Sequence, residues 1–148
     1  MYHIILCLIL LLCCNSTNAA QLHIVNIDEL VQELDQIDDT NKILFFFTSW
    51  CGHCKNAISD ILRLPSVQYK KFFLISLDQD YKSINQMSQM LPEHVNIYYM
   101  SSHNDVIELF TRFKIKYRNI IPHISVINSN NILVKDNINL RQINKYLK

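Results

Sequence analysis

The stretch FTSWCGHCKNAI, from Phe47 to Ile58, places Cys51 and Cys54 three residues apart, with Gly52 and His53 between them. A cysteine pair of this spacing can hold a metal, close a loop or pass electrons. A structural zinc site needs about four ligands, and the sequence offers no second pair of this kind and no closely spaced pair of histidines. A disulfide between residues so close in the chain encloses too short a loop to stabilise a fold, because the entropic gain grows with loop length. Reversible two-electron chemistry is the reading that survives.

The other cysteines sharpen it. Of the five in the chain, Cys7, Cys13 and Cys14 belong to the apolar run IILCLILLLCC, from Ile4 to Cys14. That run has the length of a signal-peptide core and roughly half the length of a membrane span. Thr17 and Ala19 supply small residues where a signal peptidase reads, so cleavage after Ala19 is expected, with 1–19 the signal and 20–148 the exported domain. The segment before the run contains no Lys or Arg, which leaves an uncleaved anchor as a second option. Lipid on Cys13 or Cys14 is a third, disfavoured because Leu12 and Cys13 stand where a small residue is wanted. Cleavage leaves Cys51 and Cys54 as the whole thiol content, in an exported setting that permits disulfides. The compartment is a bacterial periplasm or, in a eukaryote, the endoplasmic reticulum or the outside of the cell.

Composition bounds the rest. With 148 residues and 49% apolar content the chain can bury one good core. Its formal charge of +1 comes from 14 basic and 13 acidic residues spread without blocks, which argues against a nucleic-acid partner or a polybasic membrane surface. No repeat or low-complexity linker interrupts it.

Hydrophobic periodicity gives alternating strands and helices. Ile27 to Ile37 has the apolar spacing of one helical face, and Lys42 to Phe47, KILFFF, is a continuous run of the kind buried on both sides of a sheet. A helix follows from Cys51 to about Leu64, ended by Pro65. Phe72 to Asp78 and Val95 to Met100 read as strands, separated by a helix from Tyr81 to Met90. Asn104, a cap-like residue, opens a helix to Ile115. His123 to Asn128 and Asn131 to Lys135 form a hairpin across Ser129 and Asn130, and Asn139 to Leu147 closes as a helix. Such alternation predicts an α/β fold, a sheet flanked by helices.

With WCGHCK opening a helix after a buried strand, and IIPHISVIN much later, the sequence resembles the thioredoxin superfamily over roughly Ile24 to Lys148. The long stretch between Cys51 and Pro122 is similar to that of TlpA/ResA-type exported thiol-disulfide proteins. The resemblance implies a central mixed β-sheet with a central insertion, supplied by VNIYYM or by the preceding FFLISLDQDYKSINQM. It matches Pro122 to the family's cis-proline, and the dipeptide between the cysteines looks like that of protein disulfide isomerase.

Placed so, Cys51 occupies the first turn of a helix, where free N–H groups and the helix dipole favour a thiolate, and acts as the attacking sulfur. Cys54, one turn in, resolves the mixed disulfide. Protonated His53 adds positive charge and favours the reduced pair. Trp50, Gly52, Ile121 and Pro122 are the expected substrate-facing residues, with the Ile121 backbone free to pair with an extended peptide. The redox-active disulfide is the only cofactor expected, with no metal. The expected partners are exported proteins with cysteine pairs and a membrane or soluble thiol-disulfide electron partner. Two positions depart from the family: Phe45 stands where a buried Asp or Glu is common, with no carboxylate replacing it locally, and His123 follows the proline where Thr is common. Against the oxidoreductase stand a non-catalytic binding module on the same fold and a copper chaperone using Cys51, Cys54 and His123.

Overall fold

The computed structural model describes residues 19–37 and 41–147; the apolar run and the leading cysteines of the expected signal lie outside the described residues. In chain order the elements are β1 (Gln21–Ile24), α1 (Ile27–Asp35), β2 (Lys42–Phe47), α2 (Gly52–Leu62), α3 (Ser66–Tyr69), β3 (Phe72–Ser76), α4 (Tyr81–Ser88), β4 (Asn96–Tyr99), α5 (His103–Arg112), β5 (His123–Ile127), β6 (Leu133–Lys135) and a 3₁₀ helix (Leu140–Lys145). Among the described residues the strands form one sheet in the order β1-β4-β3-β2-β5-β6. The first four in that order pair in parallel, whereas β5 runs antiparallel to β2 and β6 antiparallel to β5. The sheet is therefore mixed, and β4, formed by the VNIYYM stretch, lies between β1 and β3.

The apolar run KILFFF becomes the strand β2, buried at every position because it pairs on both edges and is covered on both faces. Side chains alternate across it. Ile43, Phe45 and Phe47 join α2, α4 and the 3₁₀ helix in one apolar cluster, while Leu44 and Phe46 join α1 and α5 in the other. Lys42 is wholly buried too, its ammonium donating to the Ser129 carbonyl at 3.1 Å and to Asn131 Oδ1 at 2.6 Å. Those acceptors belong to the β5–β6 connection, so the hairpin loop covers the end of the central strand.

Helix starts follow their capping residues. Asn26 and Glu29 form a capping box on α1, and Asp80 accepts from the N–H groups of Lys82 and Ser83 at the start of α4. One cap differs from expectation: α5 starts at His103 with Ser102 as N-cap, and Asn104 lies inside the first turn. The C-terminal segment also differs, forming a 3₁₀ rather than an α-helix behind an Asn139–Gln142 capping box. Gly52 is the only glycine, and left-handed backbone falls instead to Lys114, Asn119, Asn131 and Asn137. Asparagine is the side chain that tolerates this conformation best after glycine. Asn119 makes this turn just ahead of Ile121 and Pro122.

Candidate active site

The chain leaves β2 at Phe47 and turns through Thr48, Ser49 and Trp50 into α2. Cys51 is the N-cap of that helix, in extended conformation, and its N–H donates to the Thr48 carbonyl at 3.2 Å. Its Sγ accepts the Cys54 N–H at 3.1 Å, so the sulfur takes the place that a Ser or Asp oxygen fills in an ordinary cap. Cys51 and Cys54 are joined as a disulfide, their Cα atoms 5.2 Å apart. Cys51 retains 7% exposure and Cys54 none. Of the two, Cys51 alone keeps any exposure.

The expected substrate-facing residues divide by exposure. Trp50 stands 74% exposed, an unusual position for an indole, and Gly52 and His53 are exposed on the first turn of α2. A Cβ placed on Gly52 would meet nothing within 4 Å, so this glycine is not required by packing. Ile121 and Pro122 are half-buried, and the peptide bond between them is cis. The pairing of Phe46 with His123 brings the start of β5 beside the end of β2. Ile121 packs against the same apolar cluster as Cys51 and Cys54. Among the described residues no backbone hydrogen bond engages the Ile121 N–H or carbonyl.

His123 is not brought to the cysteines. It shares the sheet face of Ile127, touches the rings of Phe46 and Tyr117, and is only 1% exposed. The strand's alternation sends Ile124 and Val126 to the cysteine side instead. Its Nε2 lies 2.8 Å from Asp136 Oδ1, which also accepts from Ser125 Oγ at 2.7 Å, while Asp136 Oδ2 accepts from the Lys116 N–H at 2.8 Å. Burial pushes the Asp136 carboxyl upward, but the bonds from Lys116, Ser125 and His123 outweigh it and hold the group below the ordinary carboxylate value. An ionised carboxylate only accepts, so Nε2 carries the proton. The copper site expected from Cys51, Cys54 and His123 is thus corrected: a full thickness of sheet separates the histidine from the sulfurs.

A buried carboxylate lies beside the loop that carries Cys51. Phe45 is buried in the Cys54 cluster, but Asp78 arrives from the end of the neighbouring strand β3. Its Oδ2 accepts the Ser49 N–H at 2.8 Å and the Ser76 hydroxyl at 2.8 Å, and its Oδ1 accepts the Ser49 hydroxyl at 2.7 Å. Ser76 pairs with Phe47 in the parallel ladder, which puts it on the cysteine side of the sheet. The signal in the sequence was Ser76 and Asp78, polar residues at alternate positions closing a buried strand. A groove of about 450 Å³ opens nearby, lined in part by Leu77, Asp78, Met100, Phe110 and Tyr117.

No family model matches this sequence, and no curated protein matches it. Solved structures do. A thioredoxin-like protein from Bacteroides caccae aligns with a TM-score of 0.57 at 18% identity, covering 77% of this chain and 42% of that one. The chain therefore spans less than half of that protein's length. The thioredoxin domain of a thiol-disulfide oxidoreductase from Bacteroides vulgatus aligns with a TM-score of 0.52 at 13% identity, covering 80% and 84% of the two chains. The exposed lipoprotein thioredoxin of Streptococcus pneumoniae aligns with a TM-score of 0.56 at 14% identity, covering 77% and 87%. At such identities the likeness is one of architecture, and the chain has the thioredoxin-like fold.

Proposed function

We propose that this protein is an exported thiol-disulfide oxidoreductase that exchanges disulfides with cysteine pairs of other exported proteins. The observation that carries the reading is the asymmetry of the pair: Cys51 Sγ at the N-terminus of α2, holding the Cys54 N–H, above a fully buried Cys54. In the reducing direction the Cys51 thiolate attacks one sulfur of a substrate disulfide, forms a mixed disulfide and expels the other sulfur as a thiolate. The Cys54 thiolate then attacks Cys51 Sγ and expels the second substrate thiolate. Two electrons pass to the substrate, and the Cys51–Cys54 disulfide remains. The oxidising direction is the reverse, with a substrate thiolate attacking Cys51 Sγ and Cys54 leaving.

The free N–H groups at the start of α2 favour the Cys51 thiolate in both directions. Trp50 offers an apolar platform and the unpaired Ile121 backbone an edge for an extended peptide, so binding uses main-chain bonds and leaves selectivity to shape. Sustained turnover needs a second thiol-disulfide protein, soluble or membrane-bound, to reset the pair. Export is supported by the apolar run before Ala19 and by a cysteine content that reduces to one pair beyond it. Among the described residues no helix is long and apolar enough to cross a membrane. The named fold neighbour from Streptococcus pneumoniae is an exposed lipoprotein, which accords with this location.

The test is exchange itself. The reduced protein should cleave a small disulfide peptide in the presence of a thiol reductant, and Cys54→Ala should accumulate a covalent complex with substrate. Exchange no faster than the reductant alone would remove the enzyme reading and leave a binding module.

A further inference from the structure

We infer that Asp78 is a positioning residue for this exchange: it tethers the loop that carries Cys51, and its fixed negative charge opposes the Cys51 thiolate, holding the pair toward the reducing side. The inference rests on the thiol-disulfide reading above and adds the group that sets its poise.

A buried carboxylate is costly unless its oxygens are used. Here Asp78 is 7% exposed, and both oxygens are engaged by Ser49 and Ser76. What it holds matters more than that it is held. Its bond to the Ser49 N–H fixes main chain two residues before the attacking sulfur. Within the loop the Cys51 N–H to the Thr48 carbonyl is a second tie. Thr48 Oγ1 is buried without a hydrogen-bond partner, and the Trp50 side chain stands out in solvent. A serine or asparagine could tie down a loop, but charge-assisted bonds are shorter and about twice as strong.

The charge lies close enough to act. Two residues of chain span at most about 7 Å, and Asp78 Oδ2 is 2.8 Å from the Ser49 nitrogen. The carboxylate thus lies within about a Debye length of Cys51, on the buried side where salt screens least. Around the pair, His53 and Lys55 sit exposed on α2, and Asp80 is exposed at the cap of α4. Tyr99 of β4 faces the same end, its hydroxyl pushed up first by burial and then by the charges of Asp80 and Asp78. Asp78 is the buried carboxylate of this set. A like charge behind a thiolate disfavours it, which favours the disulfide and makes the dithiol the stronger reductant.

Asp78→Asn removes the charge and retains an acceptor for the Ser49 N–H. In the reduced variant, the pH midpoint of Cys51 alkylation by iodoacetamide should fall. Its equilibrium constant against glutathione and glutathione disulfide should move at least threefold toward the dithiol, which is about 14 mV at 29.6 mV per tenfold. A variant that melts earlier yet keeps the wild-type midpoint and equilibrium constant would make Asp78 a structural residue and overturn the inference. Should the variant not fold, reciprocity decides on the wild type. The ¹³C resonance of the Asp78 carboxyl in the reduced protein should inflect at the pH where Cys51 ionises, and a flat resonance there overturns the inference equally. Alkylation and resonance need no turnover. Wild type that exchanges no disulfide would sink the proposed function while these titrations still report on Asp78.

Discussion

Two carboxylates lie near the same end of the sheet, Asp78 just after β3 and Asp136 just after β6, and they serve opposite ends. Asp136 is closed in: it accepts from Lys116, His123, Ser125 and the Asn137 N–H, and its histidine partner is sealed under Phe46 and Tyr117. Asp78 is as fully bonded, yet it fixes a loop with an exposed indole and a Cys51 that keeps some exposure, close to an Ile121 backbone that no hydrogen bond engages among the described residues. The difference teaches where chemistry can occur on this fold. Complete hydrogen bonding on one face makes a strut, and incomplete bonding on the other leaves groups that the proposed exchange would use.

The most drastic way to break the comparison is at the sulfurs. Cys51→Ala should abolish exchange altogether, whereas Cys54→Ala should permit the first attack and stall there, seen by intact mass as a protein–substrate adduct that dithiothreitol releases. Equal residual turnover in both variants would mean that the pair does not divide its roles.

The strut should respond in stability rather than rate. His123→Ala leaves the half-buried Asp136 carboxylate short of one donor and should cost about 1–3 kcal/mol, lowering the melting temperature while the Cys51 alkylation midpoint stays put. Asp136 also predicts an acid dependence. Its carboxyl is lowered in the fold, so its stabilisation is complete above the ordinary carboxylate value of about 3.9 and is lost as pH falls through the lower folded value. Melting curves of wild type and Asp136→Asn should therefore lie apart at neutral pH and approach each other in acid. A constant gap across that range would contradict the assignment.

Smaller effects sharpen the open side. His53 is exposed, and an exposed charge acts weakly and through salt-screened solvent. His53→Pro should move the glutathione equilibrium toward the disulfide by about threefold or less, and less again at high salt. No shift in a redox titration would take His53 out of the tuning. Smallest of all should be Gly52→Ala, since its Cβ meets nothing. Stability should hold or rise slightly, in line with the helix preference for alanine. A slower reaction with a protein substrate, at an unchanged rate with glutathione, would identify Gly52 as a surface the larger partner must approach.

The sequence alone determined the features that depend on neighbours along the chain. The period of the apolar residues placed β2 to β6 and the longer helices within a few residues, though not β1 or α3, and the motif placed Cys51 at a helix start with Cys54 one turn behind. β1 and α3 have four residues each, too few to show a period, and the cap at Asn104 shifted because several polar residues compete locally for the same N–H groups. What only the tertiary structure decided is which distant groups share a face. His123 could be drawn toward the cysteines on paper, being next to Pro122, until the pairing of β5 with β2 sent it to the opposite side. Asp78 could be passed over, lying far from the motif in sequence, until the parallel pairing of β3 with β2 delivered it beneath Ser49. Side chains alternate across a strand, so one residue of register exchanges its two faces. That register is set by burial of the whole core, and no local window of sequence contains it.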